Sequence, residues 1–307
     1  MHSKLLDHRP VGVIGLGLMG TALCERLLAG GYPLRIYNRT PEKAIPLIER
    51  GAEWSDNPFA ACDRVVLSLY TTEVVEEVLD AFEDALRPGT IVIDTTTGDP
   101  QRMDRLGSWL AARGVDYLEA PVSGSSEQTR RHLSTALVAG PRDAFEACRD
   151  LFDCIAAKTY FVGDWGNGVR MKLVTNLVLG LNRAVLAEGL AFSKSIGLSM
   201  EDALTVLLNS PAYSRTMDAK GPKIVAGDFA PQAKLSQHLK DVNLILDQAL
   251  RCGKALPISA LHKQLLDRAV EQRLGDLDNS AIFRIIDESY ASEAASLSTN
   301  AETSAVN

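Results

Sequence analysis

Apolar residues in the first half of the chain fall in short unbroken runs, separated by stretches where they recur every three or four positions. VGVIG at 11–15 predicts an apolar strand, and a glycine turn leads from it into an amphipathic helix over 18–30. PLRIYN at 33–38 predicts a second strand, after which Thr40 is placed to cap a helix with Pro41 in its first turn. Further strands are predicted in RVVLSLY (64–70), TIVIDTTT (90–97), VDYLEAPV (115–122), LSTALVAG (133–140) and KTYFVG (158–163). Strands alternating with helices imply crossover units and a mostly parallel sheet.

The texture changes after Gly163. Residues 166–195 run without proline and with apolar positions at helical spacing, enough for one helix of about 45 Å. Helical patterns follow near 200–209, 234–253, 257–274 and 279–290, with no strand among them. The expected architecture is an α/β Rossmann-type domain over 1–164 and an all-α domain over 165–290, joined by the long helix. The small, polar segment 291–307 is expected to be disordered. A long helix that is apolar on several sides needs several partners, so a homodimer or homotetramer built from the helical domain is expected.

Composition narrows the function without naming it. With 46% hydrophobic and 23% charged residues the chain reads as an ordinary globular protein. A net charge of −7 argues against a nucleic-acid partner, which needs a basic face. No uncharged apolar run reaches about 18 residues, and the first ten residues lack a signal-peptide core, so no membrane span is expected and a cytoplasmic location is. The five cysteines form no CxxC pair, which fits reduced thiols better than a metal site.

The first chemical signal is Gly15-Leu16-Gly17-Leu18-Met19-Gly20, placed between a strand and a helix. Gly15 permits the tight turn, Gly17 lets a pyrophosphate approach the backbone, and Gly20 lets the helix pack on the sheet. The second strand then ends at Asn38-Arg39-Thr40, where an NAD-binding site usually carries a carboxylate for the ribose hydroxyls. Arg39 instead suits a 2′-phosphate, so NADP is expected ahead of NAD.

Together with the Asn38-Arg39-Thr40 triplet and these glycines, three later segments make the chain resemble the β-hydroxyacid dehydrogenases over about residues 11–290. Asp94-Thr95-Thr96-Thr97 resembles the family's segment beside the nicotinamide ribose, with Thr96 where serine is common. Glu119-Ala-Pro-Val-Ser123-Gly124-Ser125 resembles its substrate-binding segment; Ser123 and Gly124 match, whereas Glu119 and Ser125 depart. Gln128 and His132 stand where the family usually has small residues, which leaves the substrate open. Gly166-x-Gly168-x-x-x-Lys172 followed by Asn176 resembles the helix that carries the acid/base lysine and its assisting asparagine. Lys240-Asp241, after Phe229, matches a pair whose lysine sits near cofactor and substrate.

The resemblance implies hydride transfer between NADP and a small carboxylated alcohol or its aldehyde or ketone. Lys172 and Asn176 would be catalytic, and Ser123, Gly124 and Ser125 would hold substrate with them. Cofactor contacts would fall on Gly15, Gly17, Leu18, Met19, Gly20, Asn38, Arg39, Thr40, Leu69, Tyr70, Thr96 and Lys240. The chemistry agrees: reducing a carbonyl requires a proton at oxygen, and a lysine ammonium supplies it. His132 is a second candidate proton carrier, though a histidine beside Arg130 and Arg131 reads more simply as a surface residue. An imine reductase shares the fold, and a catalytically inactive dinucleotide-binding relative shares the cofactor end. Lys172 argues against both.

Overall fold

In the computed structural model, which describes residues 9–288, the chain packs as two compact units that meet after Val174. The first unit holds all nine strands: β1 (Val11–Ile14), β2 (Leu34–Tyr37), β3 (Glu53–Trp54), β4 (Arg64–Leu67), β5 (Ile91–Asp94), β6 (Asp116–Glu119), β7 (Val122–Ser123), β8 (Thr135–Val138) and β9 (Lys158–Phe161). The first six form a parallel sheet in the order β3-β2-β1-β4-β5-β6. Its central strands are buried on both faces, as the unbroken apolar runs require. Strand order reverses between β1 and β4, and a doubly wound sheet opens a ligand crevice at the carboxyl ends of such strands.

The single run expected over 115–122 is two strands. The chain breaks at Ala120-Pro121, and β7 pairs antiparallel with β8, which pairs parallel with β9. This three-stranded sheet is joined to β6 by an antiparallel bridge between Glu119 and Ala139. The segment after β2 also differs from expectation. Pro41–Ala44 is a 3-10 turn followed by the short helix Ile45–Ile48, and the Thr40 side chain makes no capping hydrogen bond.

The second unit is helical. The long helix Asn167–Ser195 runs 29 residues without interruption, and Met200–Leu208, Arg215–Ala226, Leu235–Arg251 and Pro257–Glu271 follow. A 3-10 turn, Asn279–Ala281, leads into helix over 282–288. Leu186, Leu190, Met217, Ile224, Leu235, Val242, Leu266 and Ile285 form its core. The helix Arg215–Ala226 lies outside the expected helical stretches, and Gly221-Pro222 inside it is locally unfavourable to helix. Gly221 lies against Leu204, where a side chain would not fit, so packing overrides the local signal.

The packing boundary after Val174 lies ten residues beyond the sequence boundary at 164/165. The reason is local: the first turns of the long helix are fastened to the sheet by Glu119, so they belong to the first unit. The segment 291–307 lies outside the described residues. The long helix is, by length and composition, apolar enough to cross a membrane, because its few charges are widely spaced. Leu186, Ala187 and Leu190 are nonetheless buried in the core of the helical unit.

Candidate active site

The loops after β1, β2, β4 and β5 converge at the carboxyl edge of the sheet. Gly15 has a φ of +100°, and a side chain there would meet the Ser68 carbonyl on β4's continuation. A Cβ at Gly20 would collide with the Gly15 carbonyl, so these two glycines set the turn and its closeness to the helix. Gly17 is different: an added Cβ would have nothing within 4 Å, so open space lies over it. It begins helix Leu18–Ala29, whose first turn has no side-chain cap and no acidic residue. An uncapped helix start with open space beside it is a ready anion site, which fits a dinucleotide pyrophosphate.

Asn38 ties this loop to β2. Its Oδ1 accepts the Leu16 N–H at 2.8 Å, and its Nδ2 donates to the Thr40 carbonyl at 2.9 Å. Arg39 and Thr40 are exposed beyond it, and among the described residues Arg39 pairs with no carboxylate. On the other side of the crevice the Leu69 N–H donates to Thr96 Oγ1 at 3.2 Å, joining the β4 and β5 loops. Thr96 is buried and its own N–H donates to Asp94 Oδ1 at 2.8 Å, while Tyr117 donates to Asp94 Oδ2 at 2.8 Å. Leu18 and Tyr70 are exposed, and Met19 and Leu69 half-buried. The cofactor residues expected in the first unit are therefore brought together; Lys240 lies in the second unit.

The departures in the substrate segment have structural causes. Ser123 ends β7, and Gly124 follows with a φ of +149°. Ser125 and Gln128 are a matched pair. The serine hydroxyl accepts the Gln128 N–H at 3.2 Å, and the glutamine Oε1 accepts the Ser125 N–H at 2.9 Å. This capping box starts the helix Ser126–Arg130. His132 ends that helix in the left-handed region, φ +55°, and its Nε2 lies 3.1 Å from the Asp153 carbonyl, to which it donates. That contact gives the ring a structural role at the helix cap.

Glu119 fastens the long helix. Wholly buried, its carboxylate accepts the N–H groups of Gly166 and Val169, the latter at 3.1 Å. Gly168 passes directly over it, since a Cβ there would stand 3.1 Å from both Glu119 Cβ and Oε2. Burial pushes the Glu119 carboxyl up to about 7, against the pull of those N–H groups, and Asp94 adds to the rise while Arg170 opposes it. Sequence reasoning missed this role; an acidic residue ending a strand, with a helix start to follow, was the available signal.

Lys172 and Asn176 are both buried and, four residues apart, share one face of the long helix. In the helical unit Asn176 Nδ2 donates to Asp241 Oδ2 at 2.8 Å, which orients the amide, and Asp241 Oδ1 lies 3.1 Å from Lys240 Nζ. Asp241 thus holds the Asn176 amide, a partner that the Lys240-Asp241 pair in the sequence did not state.

Comparison with known proteins agrees with this arrangement. Residues 10–163 match the family described as the NAD binding domain of 6-phosphogluconate dehydrogenase, and residues 166–286 match the NAD-binding domain of NADP-dependent 3-hydroxyisobutyrate dehydrogenase. The chain belongs to the β-hydroxyacid dehydrogenase family, the NAD(P)-binding dehydrogenases and reductases of the 3-hydroxyisobutyrate type.

Among relatives, the cytokine-like nuclear factor N-PAC of Xenopus tropicalis is 29% identical over 282 residues, covering 90% of this chain and 53% of that protein. The chain thus spans about half the length of the N-PAC proteins it matches. Among solved structures, a 3-hydroxyisobutyrate dehydrogenase from Salmonella typhimurium is 25% identical with a TM-score of 0.84, over 91% of this chain and 100% of that one. The protein Psf3, solved with NADP+ and 2-OPP, is 29% identical with a TM-score of 0.83, over 90% and 99%.

Proposed function

We propose that the chain is an NADP-dependent oxidoreductase that interconverts a small carboxylated alcohol of β-hydroxyacid type with its aldehyde or ketone. The observation that carries this reading is Lys172, a buried lysine on a helix whose first turns are fastened to the sheet, at the family's acid/base position. NADP supplies the hydride chemistry when bound. The uncapped start of helix Leu18–Ala29 holds its pyrophosphate, and exposed Arg39 meets its 2′-phosphate. The NADP+ complex of Psf3 supports the cofactor.

As charge develops on the carbonyl oxygen, the Lys172 ammonium donates its proton there; in the reverse direction the neutral amine removes the hydroxyl proton. Asn176, turned by Asp241, keeps its Oδ1 to accept a hydrogen bond at the reacting end. The Ser123 hydroxyl and the Gly124 backbone form a neutral cradle for the substrate carboxylate. The test is oxidation of NADPH with a panel of short aldehyde and keto acids. No turnover with any of them overturns the reading.

We further infer that the protein self-associates through the helical unit. Val178, Val185 and Phe192 are exposed and follow at seven-residue spacing along the long helix, the repeat of a helix-pairing seam. A second copy of the same helix is the partner that matches such a stripe, in a homodimer or a homotetramer.

A further inference from the structure

The helix Ser126–Arg130 carries a side chain of which the fold uses one end only. Gln128 is half-buried, and its amide is fixed in direction by the loop before it. The Ser125 N–H requires an acceptor, so the carbonyl end of the amide, Oε1, faces it at 2.9 Å. The Ser125 hydroxyl in turn accepts the Gln128 backbone N–H at 3.2 Å. Which end of a glutamine amide is oxygen follows from its hydrogen bonds, and here that leaves Nε2 as the unused end, with two N–H donors. Among the described residues Nε2 makes no hydrogen bond, and it is not closed off from solvent.

This free donor stands beside the segment assigned to the substrate carboxylate. A Cβ added to Gly124 would stand 3.5 Å from Gln128 Oε1, and Nε2 belongs to the same planar group. A substrate whose carboxylate rests on the Ser123 hydroxyl and the Gly124 backbone brings its next carbon toward that amide. The charge around the amide decides what this carbon should carry. Gln128 is uncharged, and Arg130, the only cation within Ser126–Arg130, is paired with both Glu25 and Glu127. A neutral oxygen suits such a donor better than a second carboxylate, because a carboxylate leaving water needs a cation.

We propose that Gln128 is a specificity-determining residue, whose Nε2 donates a hydrogen bond to a hydroxyl on the carbon next to the substrate carboxylate. The proposal rests on the carboxylate cradle assigned above and narrows its substrate to a vicinal dihydroxy acid. An alkyl branch on the same carbon is disfavoured, because it takes the amide donor out of water and offers it no acceptor. One amide thus serves the loop through Oε1 and the substrate through Nε2.

The experiment is the steady-state reduction of NADP+ by glycerate and by 3-hydroxyisobutyrate, which carries a methyl where glycerate carries that hydroxyl. Both acids react alike: a hydride passes from the terminal carbon to NADP+ and the hydroxyl proton to Lys172, leaving the aldehyde. Wild type is compared with Gln128→Met, which keeps the length of the side chain and removes both ends of the amide. Loosening of the loop by the lost cap acts on both acids and cancels in the ratio of their kcat/KM values. Wild type is expected to favour glycerate roughly tenfold, chiefly through KM, as suits one hydrogen bond, and Gln128→Met to bring the ratio to about one or below. Equal use of the two acids by wild type, a wild-type preference for 3-hydroxyisobutyrate, or a glycerate preference that survives in Gln128→Met overturns the proposal alone. Oxidation of neither acid overturns it together with the proposed activity. Should Gln128→Met fail to fold, Gln128→Ala is measured against the same two acids, and a surviving glycerate preference there is equally decisive.

Discussion

Glu119 accepts the backbone N–H of Val169 at 3.1 Å, and this hydrogen bond makes the end of a strand the anchor of the long helix. The helix starts where the carboxylate holds it, so the position of Lys172, three residues on, is set by a residue outside the helix. Negative charge at a helix N-terminus is also stabilised by the helix dipole, which favours the ionised form against the opposing cost of burial.

That opposition gives a pH dependence. The Glu119 carboxyl is raised from 4.5 to about 7 by burial. A group whose folded value is raised contributes stability that is full below about 4.5 and is lost as pH rises through about 7. Glu119→Gln should therefore flatten the stability profile between those values, removing a slope worth up to about 3 kcal/mol. Urea unfolding at a series of pH values checks this; an unchanged slope refutes the assignment.

Lys172→Ala should lower turnover by roughly 10²–10⁴-fold, the usual weight of general acid–base catalysis, while NADP affinity stays near wild type. Asn176→Ala should be milder, and Asp241→Asn should resemble it, because Asp241 acts by orienting that amide. Steady-state kinetics with cofactor titration reads all three. Turnover above about a tenth of wild type in Lys172→Ala would assign the proton to another group.

Arg39→Asp should reverse the cofactor preference. Loss of a charge-assisted phosphate contact costs on the order of 1.5–3 kcal/mol, roughly ten- to hundredfold in relative efficiency. Equal efficiency of NADPH and NADH in the wild type would contradict the role given to Arg39.

His132→Gly should stabilise the fold without reducing turnover. A non-glycine residue at φ +55° costs about 1–2 kcal/mol, and losing the hydrogen bond to Asp153 returns about 1 kcal/mol of that. A net gain of at most about 1 kcal/mol in denaturant unfolding is expected. A marked loss of turnover would restore His132 as a proton carrier.

Val185→Glu, combined with Phe192→Glu, should shift the protein to monomers in light scattering, since both side chains are exposed on the long helix at the proposed seam. A wild type that is already monomeric at micromolar concentration would dismiss that interface.

Local pattern was enough for most strands, though not for β3 or the break between β6 and β7, and for most helices of the second unit, because burial on both faces writes unbroken apolar runs into the chain and one-sided burial writes a 3.6 period. It was also enough for the glycine turn, since positive φ and close packing at Gly15 and Gly20 admit no side chain. The helix through Gly221-Pro222 escaped it, because contact with Leu204 outweighs an unfavourable local propensity. The Ser125–Gln128 pair looked like two departures from a family pattern until the backbone showed each satisfying the other.

By itself the sequence determined the order of elements and the dinucleotide turn, which depend on residues near one another in the chain, and it pointed to Lys172, Asn176 and Arg39 as candidates. Only the tertiary structure decided what holds them. Glu119 reaches across 50 residues to Val169, Asn176 across 65 to Asp241, and Lys220 across 58 to Asp278. Such pairings carry no periodic signature, because they depend on where separate elements meet and on the loss of water there, which makes an unpaired charge costly and a paired one specific.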